Sequence, residues 1–313
     1  MIRRRLQSIA GFFFLLFLCE HLFTNSQATL FLGDDGKGFI DAVNWIHSLP
    51  YLQVIELTFI GLPLLVHVWF GVERVMMAKY NSSSLPGDGS HTALPYWKNI
   101  AFTWQRITSI LLIVAIGLHI YYMRFLKEPQ EASLGIFSEY FVKASVDPGL
   151  YTLAPRLDLA LFDKEMISQA DEELRRQQPF IMQPPEQYNK EFAEKVRADE
   201  KVLLQKDIVA TMKSLQPASD EVVVMAHTFG TASLMMLRDT YKSILLCTLY
   251  SLFVIMAAFH GCNGLWTFAI TWGVALSAGS QRFIRLVSNM LMALLIFFGL
   301  ACIWGVYWIN LRY

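Results

Sequence analysis

Four histidines of this chain, His21, His67, His119 and His260, stand inside long apolar runs. An imidazole at that depth in a membrane must be hydrogen-bonded or must ligate something, so each is a candidate functional residue. One such histidine reads equally well as a hydrogen-bonded core residue. Four of them, on four separate runs, resist that reading, and more so if their depths match. The other three, His47, His91 and His227, lie in connections and are expected at solvent or headgroups.

The elements that must position them are membrane spans. Hydrophobic residues make up 54% of the 313-residue chain against 17% charged, with a mean hydropathy of +0.39. Soluble domains of this size carry more charge, and here the apolar residues cluster into runs. The formal net charge is zero, and no nucleic-acid partner is expected. Five segments, 8–32, 51–78, 100–125, 243–274 and 283–311, are long enough to cross a core about 30 Å thick. Arg3, Arg4 and Arg5 precede the first; Arg74, Lys79, Lys98 and Arg106 flank the second-to-third connection; Arg282 and Arg285 flank the fourth-to-fifth. The first-to-second connection carries Asp34, Asp35 and Asp41 against Lys37. The positive-inside rule then puts the N-terminus in the cytoplasm and the C-terminus outside. A cleaved signal peptide ending near Ser26-Gln27-Ala28 is the alternative for the first segment, but Glu20-His21 would be odd in its core. Cys19, Cys247, Cys262 and Cys302 all fall in apolar runs without zinc spacing, and read as small buried hydrophobes.

Counting along the spans pairs the histidines. His21 is thirteen residues past Ser8 and His119 thirteen past Arg106, so both sit about 20 Å from the inner boundary. His67 is seventeen residues past Pro50 and His260 eighteen past Lys242, so both sit about 26 Å from the outer boundary. The expectation is an outer pair, His21/His119, and an inner pair, His67/His260. Two imidazoles facing each other across a bundle suit six-coordinate haem iron, with no position left for oxygen or substrate, which favours electron transfer. No Cys-x-x-Cys-His occurs, so the attachment would be non-covalent, as in b-type haem. Gly71 and Gly264 each follow an inner histidine by one turn, where a missing side chain lets a flat macrocycle approach. Ordinary close helix packing also explains those glycines. Zinc fits less well, because the two pairs lie too far apart to complete one four-ligand site.

The expected architecture is an all-α membrane protein: five transmembrane helices holding two haems b, interrupted by a long charged helical insertion. Residues 1–126 and 242–313 form the membrane part and 127–241 the insertion. Within the insertion, 159–177 and 187–215 read as helices, separated by Pro179, Pro184 and Pro185. The moderately apolar stretch 222–237 reads as an interfacial helix leading into the fourth span.

Several stretches carry a family resemblance. Arg4-Arg5-Leu6-Gln7-Ser8 leads to Glu20-His21-Leu22. Ser48-Leu49-Pro50 runs through Glu56 and Leu62-Pro63-Leu64 to His67 and Gly71. Gln105-Arg106-Ile107-Thr108 leads to His119. His260 is followed by Asn263-Gly264-Leu265-Trp266, Thr271-Trp272-Gly273 and Ser280-Gln281-Arg282. The chain thereby resembles the single-chain, five-helix, di-haem cytochrome b (b558-type) subunit of bacterial succinate:quinone oxidoreductases that use menaquinone. The resemblance covers nearly all of 1–126 and 240–313, and the family's haem ligands fall on His21, His67, His119 and His260 in the pairing given above. It implies a multi-pass protein of the bacterial cytoplasmic membrane that anchors an iron–sulfur subunit and a flavoprotein subunit on the cytoplasmic face. Such a subunit passes electrons from succinate through two haems b to quinone. Glu56 could exchange protons with that quinone or make a structural hydrogen bond. Arg106 could pair with a haem propionate or serve as a positive-inside anchor. The insertion is far longer than its counterpart in the family. The competing readings are the cytochrome b of a fumarate reductase or another membrane dehydrogenase, and a proton-coupled transporter. No inverted repeat or broken helix pair supports the transporter.

Overall fold

The structure, a computed structural model, describes residues 2–30, 34–77, 97–134, 137–176 and 190–312. His91, Lys79, the proline break at Pro179, Pro184 and Pro185, and the ends of the first two expected spans lie outside them. The chain is mostly helical and divides into two compact units.

Among the described residues, the first unit holds five helices long and apolar enough to cross a membrane. The first is α1, Ile2–Ser26. After the short α2, Lys37–His47, the second span is built from α3, Leu52–Glu56, a π turn over Leu57–Gly61, and α4, Leu62–Met77. Pro63 accounts for the wide turn. It cannot donate to the carbonyl four residues back and its ring crowds that carbonyl, so the helix opens by one residue just before it. The third span is α5, Trp97–Ile120, followed by a second π turn over Tyr121–Leu126. The fourth is α10, Ile244–Thr271, whose one ionisable residue apart from two cysteines and Tyr250 is His260. The fifth is α11, Ala278–Arg312. Helix α1 packs on α4 and α10, and α10 packs on α5. Helix α11 is tied in by Trp304, whose indole nitrogen donates to Ser251 Oγ at 3.0 Å. It also accepts at the Ala301 carbonyl from Thr29 Oγ1 at 2.9 Å.

The second unit comprises α2, the segment between the third and fourth spans, and the end of α11. Two of its helices, α7 (Lys164–Arg176) and α8 (Lys190–Ser214), fall within the stretches expected to be helical, but the start of the first stretch is corrected: Ala160–Phe162 is a strand. The unit also holds a four-stranded antiparallel sheet where only helices were expected: β1 (Gln130–Leu134), β2 (Phe137–Ser145), β3 (Ala160–Phe162) and β4 (Glu221–Ala226), in the order β1-β2-β4-β3. The stretch 222–237 is therefore corrected. Its first part is strand β4, and only Phe229–Thr240 is helix, α9. Burial on both faces explains the run Val222-Val223-Val224, because a strand covered on both sides loses its alternation. Val223 and Phe141 join Ile167, Leu174, Val209 and Met212 on the face covered by α7 and α8. Helix α9 packs against β2 and β4. Thr228 caps α9 by accepting from Thr231 N, and Asn44 of α2 accepts from Gly230 N at 2.7 Å. His47 is exposed but stacks on Phe229 with ring centroids 4.2 Å apart. His227, also exposed, meets Glu139.

A compact ion network closes this unit. Asp147 caps the short helix α6, Pro148–Leu153, and receives both guanidinium nitrogens of Arg238 as well as Lys242. Asp239 accepts from Lys127 Nζ at 3.0 Å and from the Ser145 backbone N–H at 2.8 Å.

Candidate functional site

Helix α4 carries His67 against the N-terminal half of α1. Its Nδ1 lies 2.9 Å from the Gln7 carbonyl oxygen, so that nitrogen carries the proton and donates. The Nε2 lone pair is then available to a metal. The seat is made by Gly11. A Cβ there would fall 2.6 Å from His67 Cε1 and Nδ1, closer than any side chain tolerates. His260 of α10 is held from α5. Its Nδ1 lies 3.2 Å from Thr108 Oγ1, whose own proton goes to the Trp104 carbonyl at 2.8 Å, so the imidazole donates again. Gln105 fixes the same turn, donating to the His260 carbonyl at 3.1 Å and accepting from Asn263 Nδ2 at 2.7 Å. The His67 and His260 rings stand nearly perpendicular, at 84°, with centroids 6.1 Å apart.

Further along the same helices, the His21 and His119 rings stand with centroids 5.9 Å apart. The Nδ1 of His119 is 3.3 Å from the Tyr250 hydroxyl, and Phe253 packs beside the ring. His21 is wedged by Phe17. Its Nδ1 has Asn25 Nδ2 at 3.5 Å, an amide already donating to the His21 carbonyl at 2.7 Å, so this ring is the least constrained of the four. Two helices measure the spacing between the pairs. From Gly11, level with His67, to His21 is ten residues on α1, or about 15 Å. From Thr108, bonded to His260, to His119 is eleven residues on α5, or about 16 Å.

The donor sets fit a metal bound by two opposed imidazoles. A metal–nitrogen bond of about 2 Å on each side, plus about 1 Å from nitrogen to ring centre, requires centroids about 6 Å apart. Both pairs meet this. Among the described residues, no group of three or more His, Cys, Asp or Glu is gathered that could hold a bare ion. Each pair offers two ligands, which suits a group bringing the remaining ligands itself. A Cβ at Gly264 would meet nothing within 4 Å, as a flat group lying beside that turn requires. At Gly71 a Cβ would lie 3.6 Å from Gln7 Nε2, so this glycine also serves the packing of α1 on α4.

The chain is similar to the succinate dehydrogenase cytochrome b558 subunit of Bacillus subtilis (strain 168). The two are 30% identical over 122 residues, 39% of this chain and 54% of that protein. This chain thus matches about half the length of that relative. No family model and no solved structure matches it.

Glu56 and Arg106 belong to the second and third spans. Glu56 is half-buried at the end of α3, and the π turn lies between it and His67. The turn absorbs one residue, so Glu56 is about 15 Å along the helix and roughly a quarter turn off the stripe of His67. Arg106 is half-buried, with its guanidinium 6.0 Å from the centre of the Phe102 ring on its own helix. The residues that sequence reasoning left without a task are Gln7, Gly11, Gln105, Thr108 and Tyr250. The signal for Gly11 was a lone glycine at the interior position of the helix facing His67.

Proposed function

We propose that this chain is the membrane-anchoring cytochrome b subunit of a succinate:quinone oxidoreductase, holding two haems b in two bis-histidine sites. The observation that carries the reading is the pair of opposed imidazole couples, 5.9 and 6.1 Å between centroids. The similarity to a succinate dehydrogenase cytochrome b558 subunit supports it. Each haem would supply a one-electron carrier, and the two histidines of its couple would hold it.

The protein's own groups do the rest. Gln7 and Thr108 take the Nδ1 protons of His67 and His260 and leave each Nε2 available as a ligand, Tyr250 lies against Nδ1 of His119, and Gly11 and Gly264 leave room. With the N-terminus cytoplasmic, His67/His260 form the inner site, nearest an iron–sulfur subunit and its flavoprotein docked on the cytoplasmic side. His21/His119 form the outer site, nearest a quinone, most simply menaquinone. Arg106, near the inner end of α5, is the candidate partner for a haem propionate. Glu56, on the outer part of the second span, is the candidate proton donor to reduced quinone.

The test is to tag this chain in its native membrane and isolate the complex in mild detergent. A flavoprotein and an iron–sulfur protein should co-purify, and succinate should reduce the haem absorbance. Co-purification of a different dehydrogenase, or haem that formate or hydrogen reduces and succinate does not, would move the chain to another electron-transfer complex.

A further inference from the structure

Glu20 belongs to neither imidazole couple. It sits on α1 one residue before His21, and it points elsewhere: at 100° per residue it is more than a quarter turn round from that ring. Its carboxyl is exposed. One oxygen accepts from Thr24 Oγ1 at 2.8 Å, and the other has no partner among the described residues. An acidic side chain on the outward face of a span, about four turns from the aqueous inner end, is costly against lipid. It calls for a polar neighbour from outside the bundle.

The residues around Glu20 indicate what that neighbour is. Leu6, Ile9, Phe13, Leu16, Glu20 and Phe23 recur at alternating intervals of three and four, the seam spacing of two helices supercoiled on one another. All are exposed except Ile9, which is half-buried. A single polar side chain in such a seam fixes register. Copies of one chain insert into a membrane with the same orientation, so a two-fold axis along the membrane normal sets α1 parallel to its own copy. Each residue near the axis then meets itself at the same depth. A carboxyl group is self-complementary in that arrangement, since two of them hydrogen-bond face to face. A different partner would need its own polar group at that depth on an otherwise apolar seam. We infer that two copies of this chain pair through the Leu6–Phe23 seam of α1, with Glu20 of one copy hydrogen-bonded to Glu20 of the other. The inference does not depend on the haem or quinone reading.

Cysteine cross-linking of the full-length chain in its own membranes tests it, in a Cys19→Ser background. Oxidation should give dimers of Phe13→Cys, Leu16→Cys and Phe23→Cys, and none of Leu118→Cys, which is more exposed than any of them but lies on α5. Glu20→Leu should weaken self-association about five-fold, as measured by energy transfer between labelled chains diluted into bilayers, with haem content unchanged. Glu20→Gln, whose amide is also self-complementary, should stay within about two-fold of the parent. Dimers formed equally well from Leu118→Cys, or a Glu20→Leu chain that associates like the parent, would overturn the inference. If Glu20→Leu left association intact and lowered quinone turnover, the neighbour would be a quinone and the dimer proposal would fall.

Discussion

At the scale of single residues, the quality of each imidazole site rests on neighbours that never touch a metal. Gly11 is the sharpest case. Gly11→Val would drive two methyl groups into the His67 ring, which already lies 2.6 Å from an added Cβ. The ring cannot retreat without losing its bond to the Gln7 carbonyl. The expected outcome is loss of one redox component, that of His67/His260, with the other intact; two unchanged components would show that the ring is free to move. Glu56 makes a different prediction. Glu56→Gln should retain both haems while quinone-linked turnover falls roughly tenfold or more, on the order expected for losing a positioned acid. Unchanged turnover returns Glu56 to a structural role. The sequence exposed the four histidines because ionisable residues are rare in apolar runs. It hid Gly11, Thr108 and Tyr250, because such residues gain meaning only from what a neighbouring helix brings within 3 to 4 Å.

At the scale of elements, the spans were legible because length and hydropathy alone decide them. The sheet was not. Its central strands are covered on both sides, so Phe141, Val142, Val223 and Val224 are all buried and no two-residue alternation survives. Edge strand β1, Gln-Glu-Ala-Ser-Leu, is polar, and β3 has three residues. Helix α9 is held at its C-terminal end by Arg238. Burial alone would raise the pKa of Asp147, but hydrogen bonds from Arg238 and Lys242 and their charges outweigh it and hold the carboxyl well below the usual carboxylate range. Asp239 is also shifted down: burial raises it, while the Ser145 N–H and Lys127 more than compensate. A depressed folded-state value means stability that is fully present above the unfolded carboxylate value, about pH 4, and that is lost as pH falls further. Resistance of residues 127–241 to protease should therefore be flat from neutral pH to about pH 5 and drop below about pH 4. Arg238→Ala leaves Asp147 without its principal partner and should destabilise this unit by about 3 kcal/mol at neutral pH, the lower end for a buried pair because Asp147 keeps some exposure. Cleavage no faster than in the parent at neutral pH would mean that Lys242 alone suffices.

At the scale of the whole molecule, five spans bring four histidines into two couples about 15 Å apart along the helices. Counting residues inward from the span ends groups the histidines the same way, because rigid helices of fixed rise turn sequence position into depth. Depth alone could not supply the approach of the rings to about 6 Å, which depends on how α1, α4, α5 and α10 pack. The central claim is that each couple holds its own haem. Redox titration of haem absorbance, on the parent and on four single histidine-to-alanine variants, tests it most directly. The parent should show two components. His67→Ala and His260→Ala should lack one of them, the same in both, while His21→Ala and His119→Ala should lack the other. If His67→Ala and His119→Ala abolished the same component, or if the parent contained no haem when made with ample supply, the account would be contradicted.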